Sequence, residues 1–466
     1  MKKILLIALL VALCGCKKSF LTLAPTSQAS SANFYKNTSD IGNAVTACYA
    51  NLQTTSMYAD NFITMMEARA DNVEDDNPGG NAGRDYNIDR FIAGSDNAAV
   101  NNAYNCIYND IFNCNQVIAN IDVVTDANLK NQYKGEALFL RALAYFNAVR
   151  FWGGVPVVLS PISTAASLTV GRSSTSAVYS SIESDLTTAA SLLPATYSKT
   201  NAGRATSGAA IALLGKVYLT EQKWGQAATT LKTLLPTTTN PYGYTLLPNV
   251  ADVFNVANKL NAEIIFAVHY DKTIVGQGHA QFYYFNKPII DPNLLNAYSS
   301  TDTRRDLLNT QVVDANDSPI KKYYDTFDPT NKTLGYDVIV LRYADVMLMY
   351  AEALNEMAYS NDPTSDNFVY LNMVRTRAKA ASFTPAQLPD QATFRTAILQ
   401  ERRLEFPFEL QRWFDLIRTN TAIQAMANVG LVKLTIQQYQ FIYPIPIAQI
   451  QLINNPTLFP QNPGYN

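Results

Sequence analysis

The sequence predicts a mainly α protein: a tetratricopeptide-like helical scaffold with loop-rich insertions that form a ligand face. Three observations lead there. Apolar residues recur at three- and four-residue spacing in one stretch after another. One of these, Ala209–Thr220 followed by Lys223-Trp224 and Gln226-Ala227, places small residues where two helices would cross, then a tyrosine, then a W-x-x-A second helix. That is the pattern of a tetratricopeptide unit. Two long polar segments, 71–105 and 272–336, interrupt the helical pattern with Asn, Asp, Gly, Pro and Tyr.

Composition narrows the function. The chain of 466 residues is 48% apolar and 16% charged, enough to bury a large core or two. A formal net charge of −2 gives nucleic acid no basic surface to bind. Two histidines, His269 and His279, argue against a histidine-rich metal site or a histidine-based triad. No cofactor, no metal and no catalytic residue is read from the chain. The segment Asp71-Asn72-Val73-Glu74-Asp75-Asp76 fails the calcium-loop pattern, because Asp76 stands where glycine is required.

The N-terminus reads as a signal sequence. Lys2-Lys3 supply positive charge, and the apolar run Ile4 to Leu13 is too short to span a bilayer. Leu13-Cys14-Gly15-Cys16 resembles the bacterial lipobox, with a small residue before the cysteine that becomes acylated. Residues 1–15 are then the lipoprotein signal, Cys16 carries the lipid, and polar residues 16–33 form a tether. Cys48, Cys106 and Cys114 read as small core residues. Cys106 and Cys114, eight apart on one helix, are too distant to pair.

The elements follow in order. Residues 34–235 make an N-terminal helical part. Helices are expected over 41–52, 101–121, 131–151, 176–193 and 209–220. The third stops at Trp152-Gly153-Gly154-Val155-Pro156 and the fourth at Pro194. Residues 236–466 make a C-terminal part. Glu263–Val268 reads as a buried strand, 272–336 as an insertion outside the core, and 342–356 and 366–377 as helices. Arg141–Phe146 and Arg342–Glu352 echo the first helix of the tetratricopeptide-like unit, too widely spaced for a strict array.

The most charged stretch is Gln400–Arg418, QERRLEFPFELQRWFDLIR. Apolar residues interrupt its charged side, so a helix here can expose little of itself and its charges need buried partners. Arg402–Glu405, Glu409–Arg412 and Asp415–Arg418 offer local pairs, and Pro407 places a kink or break. A catalytic carboxylate pair is disfavoured, because arginines beside every acid would depress the pKa that a general acid needs raised.

Glu401-Arg402-Arg403, Glu405, Glu409 and Gln411-Arg412-Trp413-Phe414-Asp415-Leu416 with Arg418 resemble the C-terminal signature of the RagB/SusD family, the outer-membrane nutrient-binding lipoproteins of Bacteroidetes. Further matches are the GG-x-P turn at Gly153-Gly154-Val155-Pro156, Asn372, Arg375 and Arg377, and the tail Tyr443-Pro444-Ile445-Pro446 with Asn462-Pro463-Gly464-Tyr465. The resemblance covers essentially the whole chain. It implies a SusD-like, non-enzymatic lipoprotein on the outer-membrane surface. Such a protein captures oligosaccharides, and in some members peptides, and acts as the lid of a SusC-like TonB-dependent transporter. The alternatives are a lipid-anchored extracellular hydrolase and a tetratricopeptide-type scaffold for other proteins.

The helical motifs are consumed by packing, so the ligand face is expected from the two insertions. The first offers Asp71, Arg84, Tyr86 and Asn97; the second offers Tyr283, Tyr284, Tyr298 and Tyr324. Tyrosine presents a stackable ring and one hydroxyl, which suits a polyol with apolar C–H faces. The three tryptophans, Trp152, Trp224 and Trp413, all sit inside structural motifs and read as core.

Overall fold

The computed structural model describes residues 34–235, 240–278, 289–308, 320–331 and 333–465. The signal sequence, Cys16, the tether, Tyr283 and Tyr284 lie outside them. Thirteen helices carry the argument: α1 (Thr38–Leu52), α2 (Asn61–Glu67), α3 (Arg84–Asp89), α4 (Ala98–Ala119), α5 (Ala127–Trp152), α6 (Thr175–Leu192), α7 (Ser207–Thr220), α8 (Trp224–Lys232), α9 (Pro292–Ala297), α10 (Tyr343–Met357), α11 (Asp366–Arg377), α12 (Gln391–Glu405) and α13 (Arg412–Arg418). Among the described residues four short strands form two antiparallel pairs. β1 (Val73–Glu74) pairs with β3 (Ile289–Ile290), and β2 (Ile264–Val268) pairs with β4 (Val338–Arg342).

Most helices start on a side-chain cap that satisfies the first free N–H groups. Asn37 and Asp40 cap α1 reciprocally, and Asp126, Ser174, Thr206 and Asp390 cap α5, α6, α7 and α12. Successive helices then pack side by side: α4 on α5, α5 on α6, α6 on α7, α7 on α8, α8 on α10, and α10 on both α11 and α12. Small residues set the spacing. A Cβ on Gly215 of α7 would stand 2.3 Å from Leu231 Cδ2 of α8, so only glycine admits this crossing. This is the tetratricopeptide-like pair expected from the sequence. One continuous apolar core runs through both halves of the chain, with Trp152 and Trp413 fully inside it and Trp224 half-buried at its edge.

Two motifs far apart in the chain dock on each other. α5 ends at Gly153, whose φ of 72° closes the helix, and a Cβ on Gly154 would stand 2.3 Å from the Ser173 carbonyl. The C-terminal tail lies against this turn. Tyr443 N–H donates to the Phe151 carbonyl at 2.6 Å, and Asn462 Nδ2 donates to the Trp152 and Tyr443 carbonyls. Arg172 donates to the Gly154, Trp152 and Pro460 carbonyls and to Asn462 Oδ1. The Gly-Gly turn and the Asn-Pro tail thus close the N- and C-terminal parts into one body.

The structure bears out the break expected at Pro407 and corrects one expectation. Gln400–Arg418 spans two helices, α12 and α13, separated by Phe406–Gln411. Pro407 breaks the run, and Phe408 and Leu410 adopt left-handed φ values of 62° and 61°. The 272–336 insertion is not outside the core, since Leu294, Tyr298, Ile320, Tyr323, Leu334 and Tyr336 are all buried in it. In segment 71–90, Asp71, Asn72, Val73, Asp75, Asp85, Ile88 and Asp89 are buried.

Candidate ligand-binding face

The face begins below the surface, in the charges of α12 and α13. Arg342 at the end of β4 is fully buried. It donates from Nη1 to Glu263 Oε1 (2.8 Å) and Glu405 Oε1 (2.6 Å), and from Nε to Glu409 Oε2 (2.6 Å). Arg304 joins Asp302, Glu401 and Glu405; Arg377 joins Glu263 and Glu405; Lys322 joins Glu409; and Arg375 joins Glu401. Five cations (Arg304, Lys322, Arg342, Arg375, Arg377) therefore face five anions (Glu263, Asp302, Glu401, Glu405, Glu409). A second buried set is also balanced: Lys216, Arg402 and Arg418 face Asp345, Glu352 and Asp415. Neutrality is what makes such burial tolerable, since an uncompensated charge in a dry interior is costly.

The carboxyl groups record this setting. Burial alone would push Glu405 up, but the guanidinium groups of Arg377, Arg342 and Arg304 more than offset it and hold the carboxyl well below the usual range. Burial likewise raises Asp415, and Arg402 and Arg418 reverse the effect. Of the three local pairs expected along the stretch, Asp415–Arg418 forms. Arg402 reaches Asp345 and Asp415 instead, and Arg412 reaches Asp71.

That last contact connects the platform to the first insertion. Arg412 grips the Asp71 carboxylate with both prongs, Nε to Oδ1 at 2.7 Å and Nη2 to Oδ2 at 2.8 Å. Arg403 adds bonds to the Asp71 carbonyl and to Asn72 Oδ1. Burial opposes ionisation of Asp71, but Arg412 and Arg403 outweigh it and lower its pKa. Directly beyond, β1 pairs with β3, matching Val73 with Ile290 and Glu74 with Ile289, and Asp291 N–H donates to the Asn72 carbonyl. The two insertions are therefore hydrogen-bonded to each other. A third segment joins them: Gly430 and Leu431 N–H donate to Asp291 Oδ2, and Asn293 donates to the Asn428 carbonyl.

Several residues expected to face ligand spend their polar groups inside this assembly. Asp71 is the lock just described. Arg84 binds Asp60 (2.7 Å) and Asp85 (2.5 Å). Asn97 caps α4 and donates to the Arg84 carbonyl, clipping α3 to α4. Tyr298 is buried, with its hydroxyl donating to the Leu404 carbonyl at 2.9 Å. Tyr86 and Tyr324 are half-buried and keep part of their surface in solvent; the Arg90 guanidinium lies over the Tyr86 ring at 5.2 Å.

Sequence reasoning missed a cleft of about 240 Å³ at the start of the second insertion, with apolar walls from Leu52, Phe266 and Val268 and polar groups from Gln53, Arg204 and His269. His269 Nδ1 lies 2.6 Å from Asp337 Oδ2, and Gln53 Nε2 donates to the His269 carbonyl at 2.5 Å. The only sequence signal was a rare histidine directly after a predicted strand. Among the described residues no helix is long and apolar enough to cross a membrane.

Two family models match the chain, one described as starch-binding and associating with the outer membrane over residues 19–219, and the SusD family over residues 313–465. A SusD-like protein of Formosa agariphila is 27% identical over 511 residues, covering 99% of both chains. Another from the same organism is 28% identical and covers 100% of this chain and 99% of the other. Among solved structures, a laminarin-binding SusD-like protein matches with a TM-score of 0.77 at 26% identity, covering 92% of this chain and 100% of that one. A SusD-like carbohydrate-binding protein from Bacteroides fragilis matches with a TM-score of 0.78 at 20% identity, covering 91% and 99%, and shares the fold.

Proposed function

The chain belongs to the SusD/RagB family, whose model is described as associating with the outer membrane, and from that premise we propose that it is a cell-surface, glycan-binding lipoprotein. Its ligand face is the surface built where the two insertions join. The observation that carries this reading is the β1–β3 pairing seated on the Arg412–Asp71 lock. Loops tied to each other and to a rigid base hold a binding geometry that free loops would not. Tyr86 and Tyr324 keep part of their surface in solvent, and they, with Tyr283 and Tyr284 of the second insertion, are the residues this reading assigns to stacking on sugar faces. Acylated Cys16 would hold the protein at the membrane, and a SusC-like TonB-dependent transporter would receive the oligosaccharide, this chain serving as its lid. A peptide ligand belongs to the same reading.

The protein acts without turnover on what it binds. The acids of the signature stretch are matched by basic partners, which suits a platform and leaves no general acid there. The test is a glycan and peptide array on purified protein, followed by calorimetry with the best ligand. Tyr86→Ala, Tyr283→Ala, Tyr284→Ala and Tyr324→Ala should each be folded, and at least one should weaken binding about tenfold, as loss of a stacking ring worth about 1.5 kcal/mol implies. If a ligand is found and all four bind it as well as the parent, the face lies elsewhere. Product formation from the ligand would overturn the non-enzymatic reading.

A further inference from the structure

α1 and α4 pack together and bury three side chains at 0% exposure: Cys48 of α1, and Asp110 and Cys114 of α4. Their two sulfurs and the carboxylate lie within 4.8 Å of one another. Asp110 and Cys114 are four residues apart, so they share one face of α4. Both thiols are free. Asp110 is the anomaly: neither of its buried oxygens has a hydrogen-bond partner. Burial pushes its carboxyl well up, and the nearby Asn51 side chain opposes this only in part, its amide also donating to the Cys106 carbonyl and Met57 Sδ. Every other buried carboxylate of the two charge networks is met by arginine or lysine, so an orphaned Asp110 between two cysteines needs its own explanation.

We propose that Cys48, Cys114 and Asp110 bind a structural zinc ion that ties α1 to α4. Two sulfurs and one carboxylate oxygen offer three donors, and zinc takes a water as its fourth ligand where the protein supplies three. Around one zinc, bonds of about 2.0–2.3 Å put donor atoms roughly 3.3–3.8 Å apart, a small contraction of the observed cluster. Paired thiolates select a borderline-soft ion over calcium or magnesium, and the carboxylate fits zinc better than copper(I). Binding displaces the two thiol protons and any proton on Asp110 into solvent as the ion takes their place. The resulting site carries one net negative charge. A site sealed at 0% exposure is loaded while α1 docks on α4. Cys106, the next cysteine on that side of α4, is taken by Asn51 and Thr54 and stays out of the set.

The mature chain, refolded with zinc sulfate and dialysed, should retain one zinc per chain by mass-spectrometric metal analysis. Refolded with cobalt(II) instead, it should show the near-ultraviolet thiolate-to-cobalt absorption of a tetrahedral site. Asp110→Asn removes an uncompensated charge, so without metal it should melt at or above the parent. With zinc present the order should reverse, the parent gaining in melting temperature and the variant not, and the variant should retain less than a tenth of the metal. Cys114→Ser should abolish the cobalt absorption. A refolded parent that holds no zinc overturns the proposal. So does a native Cys48–Cys114 disulfide, or an Asp110→Asn protein that keeps full metal content.

Discussion

Replacing Arg342 with methionine tests whether the buried charge network is held by its neutrality. The guanidinium is fully buried and serves Glu263, Glu405 and Glu409 at 2.6 to 2.8 Å, with a further bond to the Glu405 carbonyl. Methionine fills much of the space but leaves four cations against five anions. Breaking a buried pair from one side costs about 3–5 kcal/mol. Arg304, Arg377 and Lys322 still reach the three carboxylates, so the middle of that range, about 4 kcal/mol, is expected. At a urea dependence of about 3–4 kcal/mol per M, the main unfolding transition should move down by about 1 M. Adding Glu409→Gln restores the balance, four against four, and should recover about 1 kcal/mol, within the range of couplings between contacting residues. Circular dichroism and tryptophan fluorescence during urea unfolding measure both. A single variant within about 0.5 kcal/mol of the parent, or a double variant that falls by the full sum of two losses, would refute the reasoning.

Arg412→Ala removes the two-pronged grip on Asp71 but leaves Arg403 beside it, so about 2–3 kcal/mol of stability should be lost. Amide exchange should rise most at Asn72–Glu74 and Ile289–Asp291; uniform protection there would show that the lock does not hold the loops. Stability should peak in weak acid. Glu405, Asp415, Asp71 and Asp345 have lowered pKa values, so their contribution is complete above the unfolded carboxylate range of about 4 and is lost as pH falls below it. Burial raises Glu67 to about 7 and Asp89 to about 8, so their contribution is present at low pH and is lost as pH rises through those values. Melting temperature measured from pH 3 to 9 should therefore fall on both sides, and Glu67→Gln with Asp89→Asn should flatten the alkaline side; an unchanged alkaline slope contradicts the assignment. Mass spectrometry of the native N-terminus should find Cys16 acylated, and an unmodified, unanchored protein would remove the membrane part of the proposal.

Helix limits were legible because they are local facts. The helices expected from apolar spacing over 41–52, 176–193 and 209–220 lie within a few residues of α1, α6 and α7, and Gly153-Gly154 marks the stop of α5. The break at Pro407 was legible for the same reason. The partners of the signature charges were not. Glu405 sits three residues from Arg402, yet its cations come from Arg304, Arg342 and Arg377, each brought by a different element. Periodicity ranks neighbours on one helix and says nothing about a helix that crosses it. The same blindness hid Cys48 from Cys114, and His269 from Asp337. In the loops the error ran the other way. Asp71 and Asn97 look free in a polar segment, but a short polar side chain beside a helix end is as well suited to locking the loop as to meeting a ligand.

The division of labour between platform and loops follows from what each lacks. β1 and β3 are two residues long, and a pair of that size cannot hold itself in water. Its order must come from beneath, through Asp71 to Arg412 and Arg403, and through Asp291 to the 428–431 segment. Those arginines extend from α12 and α13, whose other charges are spent on fixing the two helices to β4, α10 and α11. Buried ion pairs contribute little net stability against apolar packing, but each forked pair accepts one geometry. Such a network fixes where the loops leave the core while leaving their outer residues unconstrained. If the proposed face holds the ligand, substitutions at Tyr86 or Tyr324 should change what is bound without disturbing the fold, whereas changes at Arg342 or Arg412 should disturb the fold first.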